Sequence, residues 1–226
     1  MLIWKEEKMF EKYMEKKFSK REESEFNLVR TVFQWIICHV FIASYVHFFY
    51  KVEVVGKEKL KTDKKYLIAA NHMTGWDPFV IAMALHKTMA FMAKEELFAT
   101  LGSRFIMDYC GAFSVNRQKL EVSTIKTAIA VNKTKWILGI FPQGTRDKSG
   151  KINHVSRGFT ALAKASKCDI MPVSIVGMEK KSNWFHQEKI TIKVGDLIPY
   201  GETEETIQKW CEAVSELSGL EYKPEN

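Results

Sequence analysis

An α/β fold with a largely parallel central sheet flanked by helices is what this sequence predicts, and three observations carry the prediction. From residue 51 onward, short apolar runs of strand length alternate with helical stretches, the pattern of strands joined through helices. Ahead of that pattern, residues 32–50 form a long apolar, aromatic run of helical length. Between the second apolar run and the helix after it lies a turn rich in chemistry, Asn71-His72-Met73-Thr74-Gly75-Trp76-Asp77. With 226 residues, the chain can bury one core and carry an appended segment. We divide it into an N-terminal helical segment, 1–50, and an α/β domain, 51–226.

Residues 1–25 read as a charged helix. Ile3, Phe10, Met14 and Phe18 recur near helical spacing, and seven Lys/Arg balance seven Glu. The run 32–50 is nineteen residues, close to the roughly 20 that span a bilayer. Gln34, His39, Ser44 and His47 interrupt it, which argues against a purely lipid-facing helix. Its flanks show no Lys/Arg asymmetry from which to read an orientation. The long, glutamate-rich leader without a cleavage site argues against a secretory signal. Three placements follow. The preferred one is a membrane-embedded or interfacial helix, paired with the first helix as a hairpin. The others are a transmembrane anchor and a buried core helix. Phe33, Trp35, Phe41, Tyr45, Phe48, Phe49 and Tyr50 suit the headgroup zone, where amphipathic rings settle. The expected location is the cytoplasmic face of a membrane.

Strands are expected at Val52–Val55, Tyr66–Ala70, Met89–Ala93, Ala112–Val115, Trp136–Phe141, Ile170–Val176 and Ile190–Val194. Helices are expected at Pro78–Leu85, Glu95–Leu101, Gln118–Asn132, Gly158–Ser166 and Thr203–Leu217. Residues 222–226 read as a frayed end. The net charge of +7 suits a phosphate-bearing partner. It does not point to nucleic acid, because no zinc finger, RNP motif or basic stripe with stacked aromatics accompanies it. Cys38, Cys110, Cys168 and Cys211 have neither zinc-site nor disulfide spacing and read as reduced thiols in a reducing compartment.

Five elements bear chemistry. His72 follows a strand, and Asp77 lies within reach across a turn that Gly75 permits. The carboxylate can hold one ring nitrogen and leave the other to accept a proton. Asp77 also reads as the cap of a helix begun by Pro78. Gly111-Ala-Phe-Ser-Val-Asn-Arg117 places an arginine at a strand end as an anion ligand. Phe141-Pro-Gln-Gly-Thr-Arg146 follows another strand; its turn N–H groups, the Thr145 hydroxyl and the Arg146 fork can face a phosphate. Arg157 opens a helix against its dipole, a placement that an anion between them would relieve. Met171-Pro172-Val-Ser-Ile175 reads equally as core or as a wall of the substrate site.

His-x4-Asp, Gly-x5-Arg, Phe-Pro-x-Gly-Thr-Arg and a proline-containing apolar strand, in this order, resemble the four blocks of the glycerolipid acyltransferases. The 1-acyl-glycerol-3-phosphate acyltransferase branch matches best, over about residues 52–195. Lys94-Glu-Glu-Leu97 is similar to that family's Lys-x-Glu-Leu stretch. The resemblance implies transfer of a fatty acyl group from an acyl thioester of coenzyme A or acyl carrier protein to the 2-hydroxyl of lysophosphatidic acid. It implies no cofactor and no metal, only those co-substrates, with membrane lipids as surroundings. It makes His72 the general base and Asp77 its partner. Arg117, Gly144, Thr145 and Arg146, with Arg157, would surround the acceptor phosphate, supported by Asn71, Lys94, Gln143 and Pro172.

The chain departs from the family pattern at three positions. Gln143 stands where glutamate is usual, Ser114 where phenylalanine is usual, and Asp147 where serine is common. The departures leave two alternatives open: a different lysolipid acceptor, or a lipid-binding protein of the same fold that has lost activity.

Overall fold

Residues 13, 18–115, 121–147 and 149–222 are described in the computed structural model of the chain. Most of the expected first helix, Arg117, and the start of the helix expected from Gln118 lie outside them. Seven strands form the main sheet: β1 (Tyr50–Val55), β2 (Tyr66–Ala70), β3 (Met89–Lys94), β4 (Phe113–Val115), β5 (Ile137–Ile140), β7 (Asp169–Val176) and β8 (Glu188–Val194). Their order is β1-β8-β7-β2-β5-β3-β4. All neighbouring pairs are parallel except β7 with β8. The short β6 (Lys151–Ile152) and β9 (Glu221–Tyr222) pair as a separate ribbon, so Tyr222 is ordered rather than frayed.

Helices cover both faces, as a parallel sheet requires. α1 (Leu28–Phe49) precedes β1. α2 (Asp77–Leu85) joins β2 to β3, α3 (Leu101–Tyr109) joins β3 to β4, and α4 (Val122–Asn132) joins β4 to β5. α5 (Gly158–Ser166) precedes β7, and α6 (Thr203–Ser218) closes the fold. The helix expected over Glu95–Leu101 is instead a 3-10 turn, Glu95–Phe98, followed by α3, which Thr100 caps by accepting the Ser103 N–H. α3 mixes Gly102, Ser103 and Asp108 with apolar residues, which blurs its period in the sequence.

The core has one large cluster on each face. α2 is buried along almost its whole length, from Val80 to Leu85, against β1, β7 and β8. On the other face Trp210 of α6 is fully buried and donates its indole N–H to the Ala69 carbonyl at 3.0 Å. That bond fixes α6 behind the last turn of β2.

α1 starts four residues earlier than the apolar run and ends one residue before it, where Tyr50 enters β1. Its backbone widens to π form over Ile37–Ile42. Cys38, Ile42 and Val46 are buried in the same cluster as α2 and the sheet. Gln34, His39 and Ser44 of the run have partners in the protein. Gln34 is buried, donates to the carbonyls of Met89 and Cys110 at 2.7 Å each, and accepts the Met89 N–H. Ser44 bonds the Val40 carbonyl. The opposite face leaves Val29, Val32, Trp35, Val40, Phe41 and Phe48 exposed.

The described part of the N-terminal region is fastened to the same body. Phe18 is buried and stacks on Phe98 at 4.8 Å. The Arg21 guanidinium is buried against the Asp108 carboxylate and the Ala112 carbonyl, and Arg30 reaches the same carboxylate at 2.7 Å.

Candidate active site

The site lies where parallel strands end and their connections diverge, the usual ligand position in such sheets. β2 and β5 are neighbours, with Ala69 opposite Ile140. The segments leaving their C-terminal ends, Asn71–Asp77 and Phe141–Arg146, are therefore brought side by side.

Asn71 continues β2 with its side chain. Fully buried, it donates to the Ile175 carbonyl and accepts the Ile175 N–H, both at 2.8 Å. The chain can then leave the sheet at His72 without stranding the backbone groups of β7. The supporting role expected of Asn71 is thus a backbone clamp.

His72 Nδ1 lies 2.9 Å from Asp77 Oδ2. The same oxygen accepts the N–H groups of Met73 and Thr74 at 2.7 and 2.8 Å, while Oδ1 accepts the Thr74 hydroxyl at 2.6 Å. The carboxylate is fully buried and uses its acceptor capacity upstream. This corrects the expectation that Asp77 caps the helix. Asp77 is itself the first residue of α2, Trp76 occupies the cap position without a side-chain bond, and the lone pairs are spent on the turn. Thr74 was not singled out in the sequence, although a hydroxyl within the His-x4-Asp turn was the available signal.

A stack of rings sets the His72 plane. Phe141 lies 4.2 Å from it between centroids, nearly parallel, and Phe91 lies behind Phe141 at 6.4 Å. Gly139 makes room for that stack, since a Cβ there would sit 2.6 Å from the Phe91 ring. With its face on Phe141 and Nδ1 on Asp77, the imidazole keeps Nε2 as the nitrogen that can take a proton.

The second loop bonds the first through its backbone. Gln143 is buried, and its side-chain oxygen accepts the His72 N–H at 3.1 Å. The His72 carbonyl accepts the Asp147 N–H at 2.9 Å. Gly144 has φ +69°, open space where a Cβ would be, and an N–H donated to the Phe141 carbonyl that closes the turn. Arg146 is exposed and lies against the histidine loop: its guanidinium is 3.7 Å from where a Cβ on Gly75 would be. The Ser149 N–H and hydroxyl, with the Asn153 amide, hold the Asp147 carboxyl below the usual carboxylate range, so it is ionised beneath this loop.

A cavity of about 230 Å³ opens beside these groups. His72, Gln143, Gly144 and Thr145 form its polar side, and Met92, Val115, Ile140, Phe159 and Leu162 its apolar side. His154 and Ser156 also line it; neither was singled out in the sequence, where no motif marks them.

The structure places the remaining candidates elsewhere. The Arg157 side chain is exposed and paired with Glu204 in the first turn of α6, so the carboxylate that relieves its helix-end position comes from the protein. Lys94 is exposed at the end of β3. Pro172 is buried within β7, opposite Ala69, and its carbonyl accepts the Gly195 N–H at 2.8 Å; Met171–Ile175 is core throughout. Arg117 lies outside the described residues, on the connection leaving β4.

Fold and site together define a member of one family. A family model described as Acyltransferase matches residues 51–176, more than half of the chain, and the chain belongs to that family. Among curated relatives, it is 31% identical over 163 residues to the 1-acyl-sn-glycerol-3-phosphate acyltransferase of Streptococcus pneumoniae, covering 71% of this chain and 60% of that protein. It is 31% identical over 147 residues to the protein of the same name from Bacillus subtilis, covering 64% of this chain and 72% of that one. The fold is similar to the crystal structure of the 1-acyl-sn-glycerophosphate (LPA) acyltransferase PlsC from Thermotoga maritima, with TM-score 0.65 over 84% of this chain and 80% of that one, at 24% identity.

Proposed function

We propose that this chain transfers a fatty acyl group from an acyl thioester to the 2-hydroxyl of a 1-acyl-glycerol 3-phosphate, giving phosphatidic acid. One observation carries the reading: the buried His72–Asp77 pair, at 2.9 Å, borders a largely apolar cavity with the Gly144–Arg146 loop beside it. The names of the relatives agree with it.

An alcohol does not ionise at neutral pH and needs a base as it attacks. In the proposed mechanism His72 Nε2 takes the hydroxyl proton while the oxygen adds to the thioester carbonyl. Asp77 holds Nδ1 and stabilises the imidazolium that forms. The tetrahedral intermediate then expels the thiolate, which takes the proton from His72. Base assistance of this kind is worth about 10²–10⁴ in rate. Thr145 and Arg146, with Arg117, hold the acceptor phosphate, so that the hydroxyl meets the thioester in one orientation. Gly144, open on the cavity side, lets the phosphate approach the backbone. The donor is acyl-CoA or acyl carrier protein, and no further cofactor or metal takes part.

Gln143 does not oppose this reading. Its bond to the His72 N–H needs an acceptor oxygen, which an amide supplies as a carboxylate would.

The reading includes attachment to the cytoplasmic face of a membrane through α1, lying in the interface. A spanning α1 would have to withdraw Cys38, Ile42 and Val46 from the core, whereas an interfacial one buries its exposed aromatic face in lipid and keeps them in place.

Purified protein in detergent, given lysophosphatidic acid with a long-chain acyl-CoA or acyl carrier protein, is expected to form phosphatidic acid. Absence of product with both donors, where a relative works under the same conditions, overturns the proposal. Product with another lysolipid alone would move the acceptor assignment.

A further inference from the structure

A second concave surface lies apart from the catalytic cavity. It is a groove of about 730 Å³ between α1, β1, the end of α2 and the turn before β8. His39, His47, Lys51, Lys57 and His86 line it, and no carboxylate does among the described residues. Carboxylates around it are already engaged: Glu53 with Lys189 at 2.8 Å, Glu188 with His186 and Lys180, and Glu179 with the Gly177 N–H. His39 Nε2 and His86 Nδ1 are 3.0 Å apart with their rings stacked, and burial together with the Lys57 and His39 charges pushes the His86 imidazole below its ordinary value. Lys57 spends one N–H on the Ala84 carbonyl and keeps two.

The other walls of the groove are apolar. Val46, Phe48 and Met83 line it, and the Phe48 ring stands 5.4 Å from Trp184. From there the surface continues onto the exposed face of α1, and the neighbouring Phe185 is 97% exposed. Five bases joined to an apolar face, with no acid, match an amphiphile with an anionic head.

We propose that this groove seats one anionic phospholipid of the bilayer, with its phosphate among Lys51, Lys57 and the His39–His86 pair and its chains along α1. His39, Ala43 and His47 recur at helical spacing on the groove side of α1. Tyr45 instead turns toward the catalytic loop, where it stacks on Trp76 at 6.2 Å. The lipid therefore fixes the roll of α1 and holds the Trp76 side of the molecule against the membrane. This site is separate from the proposed acyl transfer and rests only on the proposed interfacial placement of α1.

The test is flotation of the full chain with vesicles of phosphatidylcholine, or of an equal mixture with phosphatidylglycerol. The parent is expected to prefer the mixed vesicles. Lys51→Gln with Lys57→Gln is expected to weaken binding to mixed vesicles about thirtyfold, the effect of two surface lysines on an anionic bilayer, and to leave binding to neutral vesicles unchanged. Lys126→Gln on α4 with Lys133→Gln just after it, away from the groove, is the control and is expected to change binding by much less. Equal binding of the parent to both vesicles, or an equal loss in the control, overturns the proposal. So does displacement from mixed vesicles by free glycerol 3-phosphate, which would mark a phosphate seat rather than a lipid one. Should the double variant fail to fold, Lys51→Glu, at an exposed edge-strand position, reads out the same way. Because vesicle binding needs no turnover, an inactive protein would still answer the question.

Discussion

The backbone N–H of His72 is held by the side-chain oxygen of Gln143, 3.1 Å away and 71 residues later in the chain. This bond ties the histidine loop to the arginine loop. Gln143→Glu keeps an acceptor oxygen and is expected to leave turnover within a few-fold of the parent. Gln143→Leu strands a buried N–H, at a cost of about 1–3 kcal/mol. The loosened loop is expected to lower kcat by up to about 10², the scale of a small misplacement of the base. Steady-state kinetics and a melting curve on both variants check this.

Asp77 receives four hydrogen bonds, three of them on Oδ2. Asp77→Asn can keep those three on its amide oxygen while losing the charge that faces the imidazolium. It is expected to melt near the parent yet to turn over about 10² more slowly. Asp77→Ala is expected to lose stability as well. His72→Ala is expected to lose about 10²–10⁴ in kcat with its fold intact. Parental turnover in His72→Ala would remove this histidine from the mechanism.

Gly139→Ala places a methyl group 2.6 Å from the Phe91 ring. Overpacking of this kind costs about 1–3 kcal/mol, to be read from urea unfolding. Since Phe91 backs Phe141, and Phe141 backs His72, activity is expected to fall as well. Phe91→Leu in the same chain is expected to restore part of the stability.

Asp108 is buried beneath both Arg21 and Arg30. Asp108→Ala takes the buried carboxylate from the Arg21 guanidinium and leaves it only the partly exposed Glu25, at 3.3 Å, so a loss of about 3 kcal/mol is expected in chemical denaturation. Breaking an exposed pair such as Lys209–Glu205 is expected to move the unfolding midpoint far less, because solvent screens it.

Burial pushes the Cys110 thiol up to about 12, and those of Cys168 and Cys211 up to about 11, from an ordinary value of 9.0. A pKa raised by folding contributes stability that is present below about pH 9 and is lost as pH rises through the folded values. At pH 8 the native protein is therefore expected to resist alkylation at these thiols, while the denatured chain reacts at all four cysteines. Mass spectrometry after a brief iodoacetamide pulse shows which case holds.

Much of the architecture was legible because it is written locally. Tyr66–Ala70 and Gly158–Ser166 appear at the expected bounds, each an apolar stretch closed by its own turn residues. α3 was missed because its polar residues hide the period, although Thr100 marks its start. The ribbon of β6 and β9 was missed because two-residue strands carry no pattern and pair across 70 residues. At the site, His72, Asp77, Gly144 and Thr145 were legible from a turn and a motif. The direction of Arg157 was not, since Glu204 decides it from another helix.

The sequence by itself determined the α/β class, the histidine–carboxylate pair and the loop after β5, because each depends on residues within one turn of each other. It also showed, through Gln34, His39 and His47, that the aromatic run is not uniformly suited to lipid. Only the tertiary structure decided what those polar residues face, which side of α1 remains exposed, and what orients His72. The partners of these residues come from Met89, His86, Phe141 and Gln143, and folding alone brings such distant positions together. The structure also turned Asp77 from a helix cap into the anchor of its own loop, because a buried carboxylate goes to the donors that reach it first.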